Sequence, residues 1–161
     1  NVIRNFQIPM PKRDFYQVSL KIILKNNKDE ILALNGHPRG SFAGFYDLPG
    51  GRIDEDEFTN PFVDIIQREA KEEIGDIKMI VNPKPVAIGR HLIPASMTSE
   101  NKDLHVLYVF FEANLVDGEV KISNEHDGFE WINIKKRQPA KLFKSGILEG
   151  INTYLGINDG I

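Results

Sequence analysis

Between Asn60 and Gly75 the chain reads NPFVDIIQREAKEEIG, a segment that makes a helix and then crowds three glutamates onto one of its turns. Asn60 suits the N-cap, Pro61 suits the first helical position where its missing N–H costs nothing, and Gly75 offers a left-handed stop. Phe62, Ile65, Ile66, Ala70 and Ile74 recur at three- and four-residue spacing, an apolar stripe that must face a core. At about 100° per residue, Glu69 and Glu73 stack one turn apart and Glu72 lies beside Glu73. Like charges so placed destabilise an isolated helix by roughly 0.2–0.5 kcal/mol, and by more where water is excluded. A divalent cation reverses that sign, and hard carboxylate oxygens without a thiol or a dense histidine cluster suit Mg²⁺ or Mn²⁺ better than zinc.

Taken alone, the turn Arg68 to Gly75 fits a solvated, charge-laced helix face equally well. The segment before it shifts the balance. Leu48-Pro49-Gly50-Gly51 follows an apolar stretch and turns the backbone near the helix, so a glycine carbonyl can join the carboxylates as a ligand.

Gly51, five residues, Glu57, then Arg68-Glu69-Ala70-Lys71-Glu72-Glu73-Ile74-Gly75 resembles the Nudix box, written G-x5-E-x7-R-E-U-x-E-E-x-G-U with U aliphatic. There are two departures. Ten residues rather than seven separate Glu57 from Arg68, an insertion of three near Phe58-Thr59-Asn60, and Asp76 stands where an aliphatic residue is usual. The insertion leaves open whether Glu57 still meets Arg68, whose expected task is to orient carboxylates through charge-assisted hydrogen bonds.

The resemblance implies an α/β (α+β) fold, a Nudix-like α/β/α sandwich with a mixed, curved β-sheet between helices. The rest of the chain supplies matching segments. Phe15 to Leu24 and Ile31 to Leu34 are expected as a hairpin around Lys25 to Asp29, and Pro85 to Ile93 and Leu104 to Ala113 as further strands. Phe129 to Ile134, with Trp131, is expected as a late strand, and Ala140 to Leu155 as a closing helix.

The same resemblance implies hydrolysis of a diphosphate linkage in a nucleoside diphosphate derivative by water attack at phosphorus. Glu69, Glu72 and Glu73, the Gly50 carbonyl and Glu125, a few positions ahead of Trp131, are the expected ligands of one to three Mg²⁺ or Mn²⁺ ions. Either Glu69 or Glu125 acts as general base. Gly51, Glu57 and Gly75 are expected as structural positions of the box. The alternative for residues 123–128 is a polar turn with Asp127-Gly128 at its tip, and His126 is read there as a loop residue. In the loop between the opening strands and the box, Arg39 is a candidate for phosphate, and Phe42, Phe45 or Tyr46 for stacking on a base. A glycine-rich surface loop whose aromatics cover the core explains that segment as well. Pro94, 19 positions past Gly75, is a weak pointer to ADP-ribose hydrolysing relatives, and the absence of tyrosine between the box and Tyr108 gives no support to a dinucleoside-polyphosphate substrate.

Composition narrows the class further. The 161 residues, 41% hydrophobic and 27% charged, are expected to form a single domain, residues 1–161. A formal charge of −3 gives no electrostatic case for a nucleic-acid polymer as partner, and the apolar runs are too short to span a bilayer. No secretory pattern opens the sequence, which starts at Asn1, and a cytoplasmic location is expected. Zero cysteines exclude disulfides and thiolate chemistry, and they disfavour the isopentenyl-diphosphate isomerases, which resemble this family in fold but rely on a cysteine. A homodimer stays open. So does a different class of function, a Nudix-fold module that binds or senses a nucleotide without cutting it, although non-catalytic relatives often lose box carboxylates and this chain keeps all three.

Overall fold

The computed structural model describes residues 11–157. Six strands form one mixed sheet: β1 (Tyr16–Lys25), β2 (Ile31–Asn35), β3 (Tyr46–Asp47), β4 (Lys78–Ile93), β5 (Leu104–Asp117) and β6 (Phe129–Ile132). The order is β3-β2-β1-β5-β4 with β6 also paired to β2, and β1 and β5 run parallel while the other pairs are antiparallel. Three helices complete the structure: α1 (Phe62–Ile74), α2 (Pro139–Leu142) and α3 (Ser145–Leu155).

Strand alternation splits the core into two layers, because successive side chains on a strand point to opposite faces. Leu20, Ile22 and Leu24 of β1 pack with Ile65, Ile66, Ala70 and Ile74 of α1, whereas Ile23 joins Leu142, Phe143, Ile147 and Ile151 from the α2–α3 side. The sheet is therefore sandwiched between α1 and the C-terminal helices. The burial of Ile65, Ile66 and Ile74 stabilises α1 by about 1.5–3 kcal/mol each.

β1 and β2 pair at Lys25 and Ile31, next to their turn, and then diverge. Into that opening runs the glycine segment. Ile22 N–H donates to the Pro49 carbonyl at 2.8 Å and Leu20 N–H to the Gly51 carbonyl at 2.9 Å, while Ile53 N–H returns to the Val18 carbonyl at 3.1 Å. Gly50 and Gly51 are thus fixed against the centre of the sheet rather than left in a surface loop.

Four expectations need correction. The N-cap of α1 is Pro61, in extended conformation with ψ 140°, not Asn60, so the helix starts at Phe62 without a side-chain cap. Phe62 is 47% exposed, its ring edge-on to Phe111, and contributes little to the buried stripe. β4 begins at Lys78 rather than Pro85; register irregularities between Val81 and Ala87 accommodate the prolines, which cannot donate to the ladder. The C-terminal helix is broken: Phe143 and Lys144 are extended and Ser145 has φ +51°, which turns the chain so that the Phe143 ring is fully buried.

Candidate active site

α1 presents the box carboxylates to the glycine segment on its second face. Gly50 has φ +126°, a conformation that favours glycine, and its N–H donates to Glu73 Oε2 at 2.7 Å. Gly51 lies so close to Glu69 that a Cβ there would meet its carboxylate oxygen at 2.2 Å. Each glycine of the pair thus serves one carboxylate of the helix.

Arg68 gathers the remainder. Despite the three-residue insertion, Glu57 receives Nε at 2.6 Å and Nη2 at 2.8 Å, and its second oxygen also accepts the Asp54 N–H at 3.0 Å. The same guanidinium reaches Glu69 at 2.9 Å and Glu72 at 3.2 Å. The inserted residues, Phe58 to Asn60, turn directly after a short 3-10 helix, Glu55–Glu57, with Asn60 N–H donating to the Glu57 carbonyl at 2.8 Å, so the Glu57 side chain still meets Arg68. The hydrogen bonds from Arg68 and Asp54 hold the Glu57 carboxyl below its usual range, and the bonds Arg68 donates to Glu57 first, with Glu69 and Glu72 adding, raise Arg68 further.

Glu69 is shifted the other way. Burial pushes its pKa up, Arg68 opposes this, and the neighbouring Glu73 and Glu72 push it higher again. A desolvated carboxylate beside two others is a donor set that a hard divalent ion would relieve, so the residues fit the metal expected from the sequence. As they stand, no three acidic or imidazole groups among the described residues converge to hold an ion. Glu72 is 59% exposed on the Arg68 side, and Glu69 sits behind Gly51.

The segment after β5 completes the site because it is tied to the end of α1. Gly75 ends the helix with φ +89° and ψ −175°, a positive φ outside the left-handed helical well. The carbonyls left open there accept from Lys121 N–H at 3.0 Å (Ile74 O) and Ser123 N–H at 2.9 Å (Glu73 O). Glu125 and His126 follow directly. His126 Nδ1 lies 3.2 Å from the Asn35 carbonyl and Nε2 lies 3.5 Å from Glu73 Oε1. If Nδ1–H is donated to that carbonyl, Nε2 attracts the carboxylate only when protonated; the Glu73 contact raises the His126 pKa against the opposing effect of burial.

These parts surround a cleft of about 270 Å³ whose lining includes Gly50, Gly51, Glu73, Glu125 and His126 together with Lys21, Asp47, Arg52 and Tyr108. Lys21 is buried in the middle of β1, where its Nζ meets Asp47 at 2.9 Å, donates to the Leu48 carbonyl at 3.0 Å and lies 3.5 Å from the Gly50 carbonyl. Burial alone would lower its pKa, but Asp47, Glu73 and Tyr108 outweigh it and the net shift is upward. Lys21 thereby fixes the loop that carries the proposed carbonyl ligand.

The structure brings Gly50, Gly51, Glu73 and Glu125 to one cleft, and leaves Arg39, Phe45 and Tyr46 off its lining. Arg39 is exposed, the Phe45 ring lies under Lys144 Nζ at 5.0 Å, and the Tyr46 hydroxyl donates to Glu130 at 2.5 Å. Of the three aromatic candidates in that loop only Phe42 lines the cleft, with Ser41 beside it, and Phe42 is stacked on His91 with centroids 4.8 Å apart. Lys21, Arg52 and His126 are the cleft positions that the sequence did not single out. A lone lysine inside the apolar run of β1 was the available signal for the first; His126 had none, since its contact depends on where residues 121–123 dock.

A family model described as NUDIX domain matches residues 15–148, which spans the sheet, α1 and the start of α3. The chain belongs to the Nudix family. It is a pyrophosphohydrolase of the Nudix type, and Nudix hydrolases act on small nucleotide derivatives and generally use divalent metals. The nucleoside triphosphatase NudI of Escherichia coli is 22% identical over 111 residues, 68% of this chain and 77% of that protein. Among solved structures, a MutT protein from Methanosarcina mazei Go1 superposes with a TM-score of 0.59 at 27% identity, over 75% of this chain and 79% of that one. An ADP-ribose pyrophosphatase from Streptococcus suis shares the fold with a TM-score of 0.58 at 19% identity, over 91% of this Nudix chain and 94% of its own. No helix among the described residues is long and apolar enough to cross a membrane.

Proposed function

We propose that this Nudix protein cleaves the diphosphate linkage of a nucleoside diphosphate derivative by metal-assisted attack of water at phosphorus. The observation that carries the reading is the pairing of the glycine segment with the acidic helix: Glu73 held by the Gly50 N–H, Glu69 packed beneath Gly51, and Glu125 on the same cleft. The similarity to a protein described as a nucleoside triphosphatase supports a nucleoside phosphate as substrate.

Glu69, Glu72 and Glu73, with the Gly50 carbonyl and Glu125, are the groups to hold one to three Mg²⁺ or Mn²⁺ ions. Bound there, such ions neutralise the phosphate oxygens and acidify a coordinated water. The chain's own residues do the rest. Arg68 holds Glu57 and keeps Glu69 and Glu72 within reach, Arg52 presents a cation to the phosphates, and the glycine segment fixes the distance between carbonyl and carboxylates. Of the two candidate bases, Glu125 lines the cleft while Glu69 lies behind Gly51, so Glu125 is the group to take the proton from water.

The test is a screen by phosphate release and product mass over ADP-ribose, nucleotide sugars, dinucleoside polyphosphates, NADH and nucleoside triphosphates, oxidised ones included. It is run with Mg²⁺, Mn²⁺ and chelator. Metal-dependent cleavage of at least one compound is expected; no cleavage together with tight binding of one would make the protein a sensor.

A further inference from the structure

The cleft opens into a second and larger cavity, about 620 Å³, through two shared residues, Arg52 and Ile93. Its far wall is the connection between β4 and β5, which is held by its own polar side chains. Thr98 Oγ1 donates to the Lys102 carbonyl at 2.7 Å and accepts the Lys102 N–H at 3.1 Å, and Asp103 accepts the Ala95 N–H at 2.8 Å. With the polar groups turned inward to the loop, Met97 is left 47% exposed on the cavity wall. Phe15, just before β1, lines the same cavity and is 86% exposed. Two large apolar side chains thus face an open space without covering each other or the core.

Charge decides which end of a substrate belongs there. Asp14, Glu100 and Asp103 line the cavity against Lys102 and Arg52, so the enclosed surface repels a further polyanion. Arg52 stands at the junction and makes no ion pair among the described residues. A cation at the neck, aromatic and thioether surfaces beyond it and carboxylates at the rim suit a phosphate followed by a neutral, flat, hydroxyl-bearing group. We propose that this cavity is the nucleoside site, with Arg52 on the phosphate nearest the sugar and the base against Phe15 and Met97. The inference rests on the hydrolase reading and assigns a place in the fold to the nucleoside that reading names.

The test is calorimetric binding of AMP, UMP and ribose 5-phosphate, with Mg²⁺ present, to the full chain and to Phe15→Ala, Met97→Asp and Arg52→Gln. All three side chains are exposed, and melting curves verify that the variants fold. The expected result is that Phe15→Ala and Met97→Asp each weaken at least one nucleotide by about 10-fold while Phe15→Ala leaves ribose 5-phosphate unaffected, and that Arg52→Gln weakens all three. Equal nucleotide affinity in wild type and both apolar-site variants overturns the site, as does a wild type that binds ribose 5-phosphate as tightly as AMP and UMP. The two readings fail separately. Hydrolysis with KM unmoved by Phe15→Ala and Met97→Asp sinks the nucleoside site alone, whereas base-dependent binding without cleavage of any compound sinks the hydrolase alone.

Discussion

Adjacent glycines in the cleft should respond to the same substitution in opposite ways. In Gly51→Ala the new Cβ would stand 2.2 Å from a Glu69 carboxylate oxygen, where ordinary contact begins at 3.4 Å, so the carboxylate must move by about 1.2 Å. It is the end of a flexible side chain, and stability should fall by no more than about 1 kcal/mol. A catalytic group misplaced by about 1 Å costs on the order of 10²-fold in rate. In Gly50→Ala the obstacle is backbone: the Cβ would lie 2.0 Å from the Leu20 carbonyl oxygen, on a strand already bonded to the Gly51 carbonyl, and φ is +126°. Strain and overpacking together cost about 2–5 kcal/mol, a fall in Tm of roughly 5–15 °C for a chain of this size. Melting curves and metal-dependent product release on both variants make the test. Wild-type turnover by Gly51→Ala, or a loss of stability in it as large as in Gly50→Ala, would refute the reasoning.

Two further predictions concern charges held by the fold. Lys21→Met leaves the Asp47 carboxylate, 17% exposed, without its cation and the Leu48 carbonyl without the ammonium donor, and should cost about 3 kcal/mol in urea unfolding; a change under about 1 kcal/mol would mean the ammonium is not needed there. The folded pKa of Glu57 lies below its ordinary 4.5, so its contribution is complete above that value and is lost as pH falls through the folded pKa. Glu57→Gln should therefore flatten the acid limb of the Tm profile below pH 4.5, and a parallel limb in both proteins would show that the Arg68 pair adds nothing to stability.

Local pattern carried most of the architecture into the sequence. The stripe of α1, the opening hairpin and the apolar centre of β5 each bury what their spacing requires. What stayed hidden depended on contacts distant in sequence. Nothing near Phe143 announces that its ring fills the far layer of the core and forces the helix to break, and Pro83 and Pro85 conceal a strand that tolerates them only through register irregularities. In the site, Glu57 looked displaced because spacing counts residues, whereas the turn at Phe58 to Asn60 leaves it against Arg68 in space. Motif spacing singles out Glu73 and Glu125, which share the cleft, and Glu69 and Glu72, which lie off its lining, while Lys21, Arg52 and His126 acquire their neighbours only when the glycine segment enters between β1 and β2 and residues 121–123 dock on α1.

The central claim is that the glutamates facing the glycine pair carry metal-dependent cleavage. Its most direct test is turnover of Glu73→Gln beside wild type at saturating Mg²⁺, on whichever phosphoanhydride wild type cleaves, with chelator as control and melting curves on both. The account predicts a loss of at least about 10²-fold with the fold retained, and no wild-type turnover in chelator. Unchanged turnover in Glu73→Gln, or wild-type cleavage that survives metal removal, would contradict it.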